Sequence, residues 1–348
     1  MWGTGVTAAM VATEFTEVGI NTMMKAAMSR GMSQFVYTVY SNAFALLILI
    51  PSSFIFYRRR PRPQLTVSII FRTFLLGLLS CCVQMFMNTG VKYSSPTLSA
   101  AMIDLTPAFT FLLAIISRME KLDYKSQSTQ AKSIGTIVSV AGALIVTLYK
   151  GQPITTLPSE SNSLNQPLLL LSSTWVTGGI FCTAGALCLA LLYIVQTWIL
   201  KDCPAELIIT CIACFFVTVL SSIVALVAEK DISSWILKPD IELIATFCSA
   251  VFAVSIRSVV HAWACRKKGP LYASMFKPLG IIIATFLGFY FLGDTLYDGS
   301  VIGGIIIALG FYSVLWGKAQ EEKMGKDERN SSFESSASPK APLLRGDV

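Results

Sequence analysis

Between Arg266 and Lys318 the chain runs apolar twice. The first run leads from a basic turn, Arg266-Lys267-Lys268-Gly269-Pro270, to Phe291-Leu292-Gly293-Asp294; the second spans Ser300 to Trp316 and closes on Gly317-Lys318. Each run comes close to the roughly 20 residues that a helix rising about 1.5 Å per residue needs to cross the hydrocarbon of a bilayer. Two such runs joined by a short polar turn make a helical hairpin built for lipid.

The rest of the sequence agrees. Hydrophobic residues make up 54% of the 348 and charged residues only 14%, outside the range of soluble domains. The net charge of +7 does not point to nucleic acid, because the basic residues sit in short clusters between apolar runs, as loop charges that orient membrane spans do. Ten spans are predicted, near 6–28, 34–57, 69–90, 96–117, 130–149, 176–199, 205–228, 241–264, 270–292 and 297–316. The fold class expected is therefore all-α, a polytopic membrane protein.

With the N-terminus cytoplasmic, the inner loops hold twelve basic residues and the outer loops five, so both termini are expected inside. Glu14 and Glu17 interrupt the first apolar stretch, which argues against a cleaved secretory signal. Residues 151–174, rich in Pro, Ser, Thr and Asn, read as an extracytoplasmic linker, and 319–348 as a disordered, phosphorylatable cytoplasmic tail. The nine cysteines lie mostly in apolar segments and read as small packing residues.

The linker separates two related halves, 6–150 and 175–318. Ile134-Gly135-Thr136-Ile137 through Gly142 to Val146 aligns without gaps on Ile302-Gly303-Gly304-Ile305 through Gly310 to Val314, matching at five of thirteen positions. Upstream of each lies an in-span proline expected to break its helix, Pro107 and Pro278, then an acid at the span's end, Glu120 and Asp294. Five spans is an odd number, so the second copy must enter the membrane upside down, and the loop charges do swap: basic Arg58 to Arg62 corresponds to Glu229-Lys230-Asp231. Inverted repeats of this kind expose a midplane site to either side in turn.

No nucleotide, metal or nucleophile signature appears, and no enzyme, ATP-driven pump or cofactor is expected. The informative residues are ionisable ones at membrane depth, where charge is costly unless it faces protein or water. Glu14, Glu17, Asn21 and Lys25 recur at helical spacing on one face of the first span. Gln84 and Asn88 stand one turn apart in the third span, and Asp104 lies midway along the fourth, three residues before Pro107. Lys277 precedes Pro278 in the ninth span. Glu14, Glu17, Asn21, Gln84, Asn88, Asp104 and Lys277 are the candidates for solute binding or coupling; Arg257 and His261, one turn apart in the eighth span, are the candidates for an inner gate. Gly299 and Gly303 form a GxxxG step expected to pack helices within one protomer.

Lys267-Lys268-Gly269-Pro270, Met275-Phe276 with Pro278, Phe291-Leu292-Gly293-Asp294, Gly299-Ser300-Val301-Ile302-Gly303 and Leu315-Trp316-Gly317-Lys318 form a pattern that resembles one known family. Lys25-Ala26-Ala27, Gly31-Met32-Ser33, Pro107-Ala108-Phe109-Thr110-Phe111, Gln196 and Pro204-Ala205-Glu206-Leu207 extend it over residues 6 to 318. The pattern is similar to the plant walls-are-thin-related transporters, also called nodulin-like or UMAMIT proteins, in the EamA branch of the drug/metabolite transporter superfamily. The resemblance implies two inverted five-helix EamA-type repeats and movement of amino acids or related small organic solutes such as auxin, facilitated or proton-linked. It further implies residence in the plasma or vacuolar membrane, of which the plasma membrane is the one expected here. The partners expected are a small organic solute, protons and the bilayer, with no nucleic acid and with the oligomeric state open. A membrane sensor or scaffold signalling through its tail is the alternative.

Overall fold

The computed structural model describes residues 2–58, 65–93, 102–120, 126–149, 152, 173–237, 240–287 and 297–337. Among these residues the protein is all-helical, with no strand. Its helices are α1 (Trp2–Ser29), α2 (Gln34–Tyr57), α3 (Val67–Tyr93), α4 (Thr106–Ile116), α5 (Gln127–Leu148), α6 (Ser173–Asp202), α7 (Glu206–Ala228), α8 (Ile241–Lys268), α9 (Pro270–Leu287) and α10 (Asp298–Ala337). Eight of them, α2, α3 and α5 to α10, contain stretches long and apolar enough to cross a membrane. The other two are α4, apolar but only 11 residues long, and α1, 28 residues long with two glutamates in its middle.

Side-chain placement is that of a protein in lipid. Ile55, Phe71, Ile116, Ile137, Phe215, Leu226 and Leu309 face outward, which water would penalise and acyl chains do not. Alanines fill the interfaces instead: Ala45, Ala114, Ala143, Ala186, Ala225, Ala250, Ala262 and Ala273 are all buried, and small residues let helix backbones approach. Many hydroxyls donate to a carbonyl one turn back in their own helix, as Thr38 does to Gln34, Thr73 to Ile69, Thr110 to Thr106 and Thr197 to Tyr193. These groups are satisfied locally and mark no site.

The packing follows a pseudo-two-fold axis relating α1–α5 to α6–α10. α3 lies on α6 as α8 lies on α1; α4 lies on α6 as α9 lies on α1; α3 meets α7 as α8 meets α2. α2 pairs with its own counterpart α7, and α5 with α10 in the most extensive contact of the bundle. The α5–α10 seam gives the orientation. A Cβ on Gly135 would stand 2.7 Å from the Gly310 carbonyl, one on Gly142 2.9 Å from that of Gly303, and one on Gly317 2.9 Å from that of Ser128. Residue numbers fall along α10 as they rise along α5, so equivalent helices run antiparallel and the repeats are inverted. The aligned glycines are therefore backbone-to-backbone contacts, and the Gly303 step packs within one protomer.

Several boundaries differ from expectation. α8 is not a plain helix: Ser249–Ile256 is π-helical, and the Ser255 hydroxyl donates 2.7 Å to the carbonyl of Ala250, five residues back. One extra residue per turn rotates the remainder of α8, Arg257 included. Pro107 and Pro278 do not sit at the breaks themselves. The chain breaks at Asp104–Leu105 and at Met275, just ahead of each proline, and the proline falls in the first turn of the helix that restarts, where its missing N–H costs nothing. The Thr106 hydroxyl takes the Ile103 carbonyl that Pro107 cannot serve, at 2.5 Å. α10 runs on to Ala337, well past the Lys318 boundary expected for an unstructured tail, because residues 319–324 are mostly good helix formers with Glu321 paired to Lys318. The linker expectation for 153–172, most of the Arg58 to Arg62 loop and the turn at Asp294 lie outside the described residues.

Loops close on one another at two ends. At one, Tyr57 packs with Cys203, Ala205 and Ala262, Arg72 pairs with Asp202 at 2.5 Å, and Arg266 with Glu206 at 2.5 Å. The ends of α2 and α8 thus lie together, at what we call the basic end. At the other, Ser33 donates 2.6 Å to Glu229, Arg30 pairs with Asp240, and the Tyr40 hydroxyl reaches the Trp235 carbonyl at 2.9 Å.

Candidate functional site

Three helices bring charge together inside the bundle, and a fourth packs against the cluster. Glu14 and Glu17 stand on one face of α1; Arg257 and His261 lie one turn apart on α8, just after the π segment; Lys277 sits on α9 just past its break. Glu17 bridges two cations, with Oε2 2.9 Å from Lys277 Nζ and Oε1 3.2 Å from Arg257 Nη1. Glu14 Oε1 lies 3.5 Å from the same lysine and 3.8 Å from His261 Nε2. Tyr193 of α6 stacks its ring on His261, with centroids 5.8 Å apart and planes 12° off parallel. A Cβ on Gly280 would come 3.2 Å from Glu14 Oε2, so the glycine leaves room for the carboxylate.

Two carboxylates thus face two permanent cations, a balance that makes burial tolerable. It is not a saturated network. Glu14 Oε1 and His261 Nε2 are buried and make no hydrogen bond, although their charges or lone pairs face each other. Side-chain exposure falls from 33% at Arg257 and 20% at Glu17 to 9% at Lys277 and 3% at Glu14, so the cluster is reached from the Arg257 side and ends blind at the unsatisfied pair. A polar solute with an acidic group could enter at Arg257 and find donors already oriented, with a carboxylate and an imidazole behind them able to take or give a proton.

The sequence candidates divide. Glu14, Glu17, Arg257, His261 and Lys277 come together, the last three from segments far apart in the chain from the first two. Asn21 is exposed on α1, and the side chains of Lys25 and Asn88 lie outside the described residues. Gln84 is half-buried on α3. Asp104 is buried at the break ahead of α4, with Oδ2 unpartnered, apart from the cluster. Tyr193 and Gly280 went unread in the sequence, since an in-span tyrosine or glycine carries no signal until a neighbour is known. Among the described residues no group of three or more His, Cys, Asp or Glu could hold a metal ion.

Comparison with known proteins finds the same architecture. The model of the EamA-like transporter family matches residues 4–148 and again 176–316. A WAT1-related protein of Arabidopsis thaliana is 43% identical over 346 residues, covering 97% of this chain and 94% of the relative. A second WAT1-related protein of that plant is 44% identical over 322 residues, covering 90% and 87%, and a third is 43% identical over 338 residues, covering 97% and 94%. A crystal structure with 14% identity superposes with a TM-score of 0.66, covering 90% of this chain and 99% of the other, and bears on the fold alone.

Proposed function

The chain belongs to the EamA-like transporter family, and within it to the WAT1-related proteins, and on that footing we propose that this membrane transporter moves amino acids or related small organic solutes, auxin among them, by alternating access. The observation that carries the reading is the incompletely satisfied cluster of Glu14, Glu17, Arg257, His261 and Lys277, drawn from helices of both repeats. Helices that hold their functional groups at a break, as α9 does at Lys277, are the usual way inverted-repeat carriers build a site.

The mechanism follows from charge balance. A solute carboxylate binding Arg257 and Lys277 competes with Glu17 and Glu14. Adding a third anion to a neutral buried cluster is costly unless one glutamate takes a proton, and Glu14, facing His261 in the most enclosed position, is placed to do so. Solute and proton then enter together, leave together, and the neutral loaded cluster is what the bundle carries between its two open states. Asp104, alone in the other repeat, is a second protonatable group on the same path. We assign the two units to residues 6–150 and 175–318, with the termini cytoplasmic and the plasma membrane as residence.

Proteoliposomes loaded with a panel of radiolabelled amino acids and indole-3-acetic acid, assayed at two external pH values, test this. Saturable flux of a carboxylate-bearing solute, faster with an inward proton gradient and lost in Lys277→Ala, is expected. A flat response across the panel would overturn the reading and favour a sensor.

A further inference from the structure

A second buried charge cluster, which the proposed transport site does not use, closes the basic end of the α5–α10 seam. Glu120, in the turn after α4, Lys132 on α5, and Lys318 and Glu321 on α10 form a ring of alternating sign. Lys132 Nζ lies 2.5 Å from Glu120 Oε2 and 3.1 Å from Glu321 Oε2; Lys318 Nζ lies 2.5 Å from Glu120 Oε1 and 3.1 Å from the same Glu321 oxygen. The Lys132 and Glu120 side chains are only 2% and 3% exposed. Such a ring is expensive to desolvate and contributes less net stability than apolar packing of the same volume would, so it needs another reason to be there.

Three observations say what the ring does. First, it joins two parts of the bundle that pack chiefly on different neighbours. α5 and α10 are locked by glycine-to-backbone contacts along their length, so Lys132, Lys318 and Glu321 ride on one rigid pair, whereas Glu120 follows α4, which packs mainly on α6 and on the first part of α9 and less extensively on α5 and α10. Second, Glu120 is held in place at a cost. Arg118 is the one non-glycine residue with positive φ among those described, at 54°, and this turns the chain so that the Met119 and Glu120 N–H groups both return to the Ala114 carbonyl. Third, the ring is not repeated among the described residues across the pseudo-two-fold, where the offset that aligns 134–146 with 302–314 sets Ser300 against Lys132. At the opposite end of the seam Gly299 abuts the Tyr149 carbonyl, and the Asp298 N–H donates to the Gln152 carbonyl at 3.0 Å; no ion pair joins the two helices there among the described residues.

Inverted repeats alone would leave the two access states nearly equal in energy, and any contact made at one end only tilts the balance. We propose that the Glu120–Lys132–Lys318–Glu321 ring is a latch that holds the basic end closed and sets the resting side of the carrier. This rests on the alternating-access reading. Opening the basic end separates α4 and the start of α9 from α10, and so draws Glu120 away from both lysines; Gly269, where α9 begins, is already within 3.9 Å of Glu120 Oε1 at its Cβ position. The two ring bonds that matter are those to Glu120, while those to Glu321 stay within the rigid pair.

The native thiols report the motion without any solute. Cys265 is fully buried one turn before Gly269, and Cys182 is fully buried on α6 toward the other end, against Gly90. Full-length protein in nanodiscs would be treated with a charged maleimide and the labelling rate at each cysteine followed by peptide mass spectrometry. Glu120→Gln is expected to speed Cys265 labelling about fivefold or more while Cys182 stays level or slows, the scale of a modest coupling energy. Glu321→Gln should change it far less. If Glu120→Gln does not fold, Lys318→Gln breaks the same bond from the α10 side and should act in the same direction. Unchanged Cys265 labelling in whichever variants fold, or parallel acceleration at both thiols, would overturn the latch. Because labelling reads opening alone, the latch stands or falls by it even in a protein that fails every flux assay.

Discussion

Each half interrupts its fourth helix just before a proline, at Asp104–Leu105 and at Met275, and the two interruptions are used differently. In the second half the break delivers Lys277 into a cluster with Glu14, Glu17 and Arg257. In the first it leaves Asp104 buried with an oxygen unpartnered. The repeat fixes where the backbone opens, because proline lacks the N–H and crowds the preceding turn whatever its side-chain neighbours. It does not fix what charge fills the opening. One half has become an ion-pair site and the other a lone acid, and that difference gives a pseudo-symmetric bundle two unequal polar spots.

The sharpest test of this contrast is to remove charge on each side. Lys277→Met strands Glu14 and Glu17 with Arg257 alone, and breaking a buried pair this way typically costs about 3–5 kcal/mol. Both thermal unfolding in detergent and flux should register the loss, and Glu17→Gln added to it should restore folding without restoring flux. A Lys277→Met protein as stable as wild type would mean that the cluster is not held by its charges. Gly310→Val, on the seam that both halves share, should cost about 1–3 kcal/mol through overpacking against the Gly135 carbonyl and Ser139, seen as a lower melting temperature with no change in solute selectivity. Asp104→Asn removes a charge that has no partner to lose, so its stability should stay within about 0.5 kcal/mol of wild type while the pH response of flux weakens. Destabilisation equal to that of Lys277→Met would erase the distinction between the halves. The smallest effect is expected of Arg118→Gly, which relieves the left-handed backbone but loosens the unfolded chain, and should raise stability by no more than about 0.5 kcal/mol with flux unchanged and Glu120 still in the ring.

Much of the bundle was legible beforehand. The glycines aligned between 134–146 and 302–314 marked the seam, the swapped loop charges implied inversion, and both features have simple causes, close backbone approach and charge sorting across a membrane. The stripe of Glu14 and Glu17 was readable as helical spacing, and Arg257, His261 and Lys277 as ionisable groups out of place. The ring was hidden. Lys132 read as one of the basic residues near a loop, Glu120 as an acid ending a span and Lys318 as the close of the last helix, all ordinary interfacial positions in one dimension. The π segment in α8 was equally invisible, since nothing in Ser249–Ile256 distinguishes it from an apolar α-helix.

Hydrophobicity along the chain was enough to decide that this protein lives in a bilayer, how many times it turns, and that its two parts face opposite ways, because those outcomes depend on transfer energies and on counts of charge in loops. Which buried charges meet was decided by the folded bundle, since an ion pair depends on distances of a few ångströms between residues as far apart as Glu17 and Lys277 or Glu120 and Lys318. Helix crossing, the π-helical segment of α8 and an unusual backbone angle at Arg118 set those distances. Each acts by rotating a side chain through part of a turn, a quantity that residue order does not encode locally.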